Sequence, residues 1–217
     1  MTEFATRRLI MVDTQIRPND VTKFPVIDAI ARIPREHFLP ADKREQAYIS
    51  ENIDLGRGRV MLEPRTIGKM LDLLNIQPDE LVLDLGVGTG YSAAVIARLA
   101  EAVVAVEEDE SMAADAQVAL SEIEADNVIL HTGQIAMGAP QHGPYDVIVA
   151  QGAVASLPAA LEDQLKEGGR IALLFQDGPL GEMRLGIRHN GQISWRAAFN
   201  ASAPVLPGFE RPQVFAL

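Results

Sequence analysis

Three glycines and two acids are the residues of this chain best placed to do chemistry. Leu81-Val82-Leu83-Asp84-Leu85 is a short apolar run holding one acid, and Gly86-Val87-Gly88-Thr89-Gly90 follows it. Glu107 closes a second apolar run, Val103 to Val106. Gly86, Gly88 and Gly90 leave room for a ligand to approach the backbone closely, and a helix opening after them points free N–H groups at it. Glu107 stands roughly 20 residues beyond the first glycine, the spacing at which a strand-end carboxylate grips ribose hydroxyls. As an acid facing a cleft, it is expected to bind and not to pack.

The spacing also separates the possible cofactors. The third glycine of the dinucleotide fingerprint falls on Tyr91. Asp84 is expected at the mouth of the loop, where a pyrophosphate would meet a like charge. At about 5 Å and an effective dielectric near 20, that repulsion is about 3 kcal/mol. An ammonium and a sulfonium would be attracted there, so S-adenosylmethionine is expected and NAD is not. Glycine-rich turns also occur in α/β domains that bind no nucleotide, but packing alone does not ask for an acid at both ends.

The elements that must position these residues follow from periodicity. Pro25 begins a helix with Val26, Ile27, Ile30 and Ile33 on one face, and Pro64 another with Ile67, Met70, Leu71 and Leu74 at helical spacing. Between them, Asn52 to Pro64 is broken by glycine and is expected as a loop. Met112, Ala116, Ala119 and Ile123 mark a helix after Glu107. Val128 to Leu130, Tyr145 to Ala150 and Arg170 to Phe175 read as strands, and Pro158 to Leu165 as a helix. Strands alternating with helices predict an α/β fold with a doubly wound, mostly parallel sheet. The end of the chain changes period. A three-residue loop with Gly191 left-handed would pair Ile187 with Ile193 and Leu185 with Trp195, matching apolar to apolar, so an antiparallel hairpin with a bulge is expected. No linker or repeat interrupts the pattern, and one domain over residues 1–217 is the expectation.

Composition narrows the partners. With 19 basic and 30 acidic side chains the net charge is -11, which repels phosphate backbones and argues against nucleic acid as the main substrate. There is no cysteine, which excludes disulfides, thiolate zinc sites and cysteine nucleophiles. His37, His131, His142 and His189 show no metal-ligand spacing. The run Leu9 to Val12 is too short for a secretory segment, and Val147 to Leu161 is interrupted by Gln151, Ser156 and Pro158, so no membrane span and a cytoplasmic setting are expected.

The N-terminal third carries a resemblance. Arg32-Ile33-Pro34-Arg35-Glu36-His37-Phe38-Leu39-Pro40 resembles the "VPRxxFVP" segment of protein-L-isoaspartate O-methyltransferases. Ala47-Tyr48 and Leu55-Gly56-Arg57-Gly58 are similar to that family's "AY…IGxG", and Gly90-Tyr91-Ser92-Ala93-Ala94 to its "GYQAA". Asn127-Val128 with Gly133 resembles "NV…GDG", and Tyr145-Asp146-Val147-Ile148-Val149 resembles "FDAIIV". Leu157-Pro158 and Gln164 to Arg170 also fit, so the likeness runs in order from about Met11 to Phe175.

The resemblance implies a Rossmann-like methyltransferase with N-terminal helices. It would methylate the free carboxylate of L-isoaspartyl residues in damaged proteins or peptides, using S-adenosylmethionine and releasing S-adenosylhomocysteine. It further implies that Glu107 holds the ribose, that the Gly86–Gly90 loop holds the methionine portion near Asp84, and that Gln134, in place of the Asp of "GDG", reaches the adenine amino group. The departures fall in the substrate loop. Where the family has "GQTISQP", this chain has Gly58-Arg59-Val60-Met61-Leu62-Glu63-Pro64. Val60 and Leu62 carry no hydroxyl for the acceptor, Glu63 would repel it, and Arg59 is expected beside Glu63 as a compensating charge. Ser50 replaces the Asp after "AY". The alternatives are a family member with another acceptor, or a non-catalytic protein that binds S-adenosylmethionine or S-adenosylhomocysteine.

Overall fold

The computed structural model describes residues 2–176 and 178–211. Helices α1 (Glu3–Met11) and α2 (Phe24–Arg32) open the chain. Thr2 caps the first by accepting the Ala5 amide, and Pro25 sits in the first turn of the second, where its missing N–H leaves nothing unsatisfied. A hairpin of β1 (Ile53–Gly56) and β2 (Arg59–Met61) leads into α3 (Pro64–Leu74). Then β3 (Leu81–Leu85), α4 (Tyr91–Ala97), β4 (Ala102–Glu107), α5 (Glu110–Glu122) and β5 (Val128–Thr132) alternate. β6 (Tyr145–Val154), α6 (Ala159–Glu162), β7 (Leu165–Gln176), β8 (Gly181–His189) and β9 (Gln192–Ala201) follow.

Seven strands form one sheet in the order β5-β4-β3-β6-β7-β8-β9. The first five run parallel, and β8 and β9 close the edge as an antiparallel hairpin. This is the doubly wound α/β architecture that the periodicity predicts. Central strands are apolar on both faces because both are covered. Ile30, Met70, Leu71 and Ile96 belong to the core that includes the N-terminal helices, and Ile135, Tyr145, Leu161, Leu206 and Phe209 to the core on the other face. No helix of the described residues is long and apolar enough to cross a membrane.

Three local expectations are corrected. Asn52 to Pro64 is not a plain loop but contains the β1–β2 hairpin, whose tip turns on Gly56, Arg57 and Gly58, all left-handed at φ 85°, 53° and 74°. The helix expected over Pro158 to Leu165 is a single turn, and β7 starts at Leu165 instead of after the Gly168-Gly169 pair.

The third correction concerns the terminal hairpin. Asn190 and Gly191 are both left-handed (φ 52° and 74°), so the turn has two residues and pairs Ile187 with Ser194 and Gly186 with Trp195. Next to the turn, the apolar residues of the two strands do not share a face. Met183 and Leu185 join one core, while Ile193 and Trp195 pack toward the other. Gly186 makes this possible, since a Cβ there would stand 2.5 Å from Ile193 Cγ2 and 3.0 Å from Trp195 Cζ3. Trp195 then meets Phe175 edge-on at 5.0 Å. Matching apolar to apolar assumed one buried face, whereas β8 has neighbours on both.

Candidate cofactor and active site

The strand order reverses between β3 and β6, and at such a switch point the crevice beyond the strand ends receives ligands. The loop after β3 is anchored there first by backbone. The amides of Gly86 and Val87 both donate to Val106 O, at 2.8 and 3.3 Å, and Gly90 N donates to Val87 O at 2.9 Å. Gly86, Gly88 and Gly90 are all left-handed, at φ 70°, 55° and 94°, which a side chain would resist. Thr89 Oγ1 donates to Phe38 O at 2.6 Å, tying the loop to the N-terminal segment.

The two acids flank this loop, and both are fully buried. Asp84 is not an open charge at the mouth of the loop. Its oxygens accept from Ser92 Oγ and from Gln151 Nε2, each at 2.6 Å. Burial pushes its pKa up to about 7 against the pull of those two donors, so its charge is only partly present at neutral pH. Glu107 is held differently. The amides of Gly88, Glu108 and Asp109 donate to its carboxylate at 2.8, 3.0 and 3.1 Å. The Arg59 guanidinium completes the shell, with Nε 3.2 Å from both oxygens and Nη2 3.1 Å from Oε1.

Arg59 is therefore not beside Glu63 as a substrate-loop charge. It is buried, 3% exposed, and also reaches Glu108 at 3.3 Å, while its Nη1 has no partner. Arg57, at the hairpin tip, bonds Asp109 and holds that carboxyl well below the usual carboxylate range. Glu63 does not point at an acceptor either. It sits at the start of α3, accepting from Thr66 Oγ1 at 2.7 Å. Leu62 is buried, and its carbonyl accepts from Arg35 Nη2 at 2.6 Å. Gly58 is exposed at the hairpin tip. Gln134 is exposed just past β5, next to Gly133, whose amide donates to Glu107 O at 3.0 Å.

The hairpin lies over the glycine loop: a Cβ on Gly88 would stand 2.9 Å from Leu55 Cδ1. Between the two, a cavity of only about 10 Å³ remains, lined by Val60, Leu62, Val87, Tyr91, Ser92 and Gln151 among others. That is room for one water at most. The residues fit S-adenosylmethionine in kind, with a left-handed glycine cradle, Glu107 for a diol and Asp84 for a cationic end. Yet the atoms that could grip the ribose are gripped by Arg59. The expectation that Glu107 is free of packing duties is corrected: it is a buried ion-pair partner. Among the described residues, no group of three or more His, Asp or Glu is placed to hold a metal.

Gln151, Ser92 and Arg35 escaped the sequence reading. Gln151 is the one with a usable signal. It is the polar residue that ends the apolar run from Tyr145, and the β3–β6 register, which sets Leu85 beside Ala150, brings it next to Asp84.

A family model described as Protein-L-isoaspartate(D-aspartate) O-methyltransferase (PCMT) matches residues 8–197. The chain is 33% identical over 189 residues to a protein-L-isoaspartate O-methyltransferase of Roseiflexus castenholzii, covering 87% of this chain and 86% of that one. It is 36% identical over 180 residues to protein-L-isoaspartate O-methyltransferase 2 of an Anaeromyxobacter species, covering 83% and 73%. A solved protein-L-isoaspartate O-methyltransferase superposes with a TM-score of 0.80 at 23% identity, covering 94% of this chain and 65% of that one, just under two thirds of its length. A Plasmodium falciparum protein assigned the same activity, solved in complex with S-adenosyl-L-homocysteine, aligns with a TM-score of 0.80 at 16% identity over 95% and 99%. At these identities the two structures speak to the fold alone.

Proposed function

Because the chain belongs to the protein-L-isoaspartate O-methyltransferase family, we propose that it acts in the cytoplasm, as one domain, to move a methyl group from S-adenosylmethionine to a carboxylate oxygen of a protein or peptide. In that reaction an O–C bond forms and the S–C bond breaks, leaving a methyl ester and S-adenosylhomocysteine. The observation that carries the reading is the pair of buried strand-end acids on either side of a left-handed glycine loop at the sheet's switch point.

The cofactor supplies a methyl activated by sulfonium charge. A carboxylate is already ionised at pH 7, so the chain needs no strong base. What the chain contributes is position and exclusion of water. Glu107 is suited to a ribose diol and the left-handed glycines to close approach of the methionine portion. Asp84, with Ser92 and Gln151, offers a hydrogen-bonded acid at the reacting end. On this reading Leu62 and Val60 wall the acceptor without offering it a hydroxyl, and Arg35 fixes that wall through the Leu62 carbonyl.

The apolar wall favours a second reading, an acceptor other than isoaspartate. A carboxylate short of one or two hydrogen bonds loses on the order of 2–5 kcal/mol, a factor of roughly 10² to 10³ in kcat/KM. Transfer of labelled methyl to an isoaspartyl peptide is expected to be slow in the unaltered chain and faster in Val60→Thr/Leu62→Ser, with binding of S-adenosylhomocysteine unchanged. Rapid transfer by the unaltered chain would show that backbone donors suffice. No transfer by either version, with cofactor bound, would move the assignment to the other acceptor.

A further inference from the structure

We propose that Arg59 is a built-in competitor of the cofactor, and that the β1–β2 hairpin must lift its guanidinium off Glu107 before a nucleoside can bind. This inference rests on the cofactor reading of the previous section and names what controls that site.

Both rivals use the same atoms. A guanidinium edge and a vicinal diol each present two donors side by side to one carboxylate. Arg59 already directs Nε and Nη2 at Glu107, at 3.1 to 3.2 Å. Neither residue has room to share, since they are 3% and 0% exposed. Leu55, from the same hairpin, covers Gly88, and the space left between hairpin and loop is about 10 Å³. Glu107 therefore cannot take a diol on the same oxygens while the Arg59 guanidinium lies where it does.

The closed arrangement is also built to be given up. A buried ion pair returns little net stability once its desolvation is counted, and this one leaves Nη1 of Arg59 without a partner. A diol on Glu107 would let Arg59 return to water and satisfy that nitrogen. Ile53 and Met61 hold the hairpin's base in the core, but the tip beside Arg59 is free to move, because Gly56 and Gly58 bracket it and nothing lies within 4 Å of a Cβ built on either. Its second tether, Arg57 to Asp109, leaves the Arg57 side chain 63% exposed. The substrate loop of this chain thus differs from the family's "GQTISQP" not only toward the acceptor. At Arg59, where the family has Gln, a shorter and neutral side chain is replaced by one that reaches the cofactor's own carboxylate.

The test is calorimetric binding of S-adenosylhomocysteine to the full chain and to Arg59→Gln. Tighter binding by tenfold or more in the variant is expected; equal or weaker binding, or no binding by either protein, overturns the proposal. Glu107→Gln sharpens the test, since it removes both the lock and the grip. It should cost tenfold or more in the Arg59→Gln background and distinctly less beside native Arg59. If Arg59→Gln does not fold, hydrogen exchange on the unaltered chain decides. Saturating S-adenosylhomocysteine should speed exchange of the hairpin amides over residues 56–61, and slowed or unchanged exchange there would show that the hairpin stays down. None of these readouts uses methyl transfer, which the isoaspartyl-peptide assay reads separately. Unchanged affinity in Arg59→Gln with transfer intact therefore removes the competitor alone, whereas absent transfer with cofactor bound removes the proposed reaction alone.

Discussion

The glycine loop after β3 and the β1–β2 hairpin face each other across the same crevice, but they are held by different physics. The loop is fixed by backbone hydrogen bonds to β4 and by left-handed glycines, so its shape is a consequence of the sheet. The hairpin is fixed by side chains, with Arg59 on Glu107, Arg57 on Asp109 and Leu55 over Gly88. One wall of the crevice is thus set mainly by sheet backbone, and the other depends on side-chain contacts that a substitution can remove. The two buried acids show the same contrast. Asp84 is surrounded by neutral donors and gives up part of its charge, while Glu107 has a cation and three amides.

The comparison can be broken most forcefully at Glu107. Glu107→Ala removes the main partner of buried Arg59 and leaves it only Glu108 at 3.3 Å, which is expected to cost about 3–5 kcal/mol. Urea denaturation measures this, and a loss well under 1 kcal/mol would mean that the hairpin contact is decorative. Asp84 sharpens the other side. Its folded pKa, about 7, lies above the unfolded value near 4. Between those limits the folded chain holds more protons than the unfolded one. The stability linked to this group is thus complete below about pH 4 and is lost as pH rises through 7, by at most about 1.4 kcal/mol per pH unit. Relative to the unaltered chain, Asp84→Asn should gain stability across that window and level off above it. A difference that stays flat from pH 4 to 8 would remove the raised pKa. The smallest effect is expected at Arg57→Ala, since the Arg57 side chain is mostly exposed. Thermal melts should not separate it from the unaltered chain, and a clear drop would make the tip a real anchor of the hairpin.

Much of the fold was legible because it is local. Apolar runs at Leu81–Leu85 and Val103–Val106, glycines at 86, 88 and 90, and prolines at 25 and 64 each dictate backbone within a few residues, and the parallel sheet follows. The terminal hairpin was legible as an element but not in its register, because apolar pattern fixes register only when one face is buried. β8 has a core on each side, and Gly186 lets the neighbouring strand turn its apolar face the other way.

The sequence by itself determined that a glycine loop follows β3, which two acids flank it, and that Val60 and Leu62 carry no hydroxyl. Only the tertiary structure decided what those acids bond. Arg59 and Glu107 are 48 residues apart, and no period or spacing links a hairpin arginine to a strand-end carboxylate. Their meeting depends on where β1–β2 folds over the sheet. Asp84 looked like an open charge for the same reason, since its neighbours Ser92 and Gln151 come from α4 and from a strand 67 positions on. Charge can be counted along a chain, but burial and partnership are properties of packing, and they set whether a carboxylate waits for a ligand or is already taken.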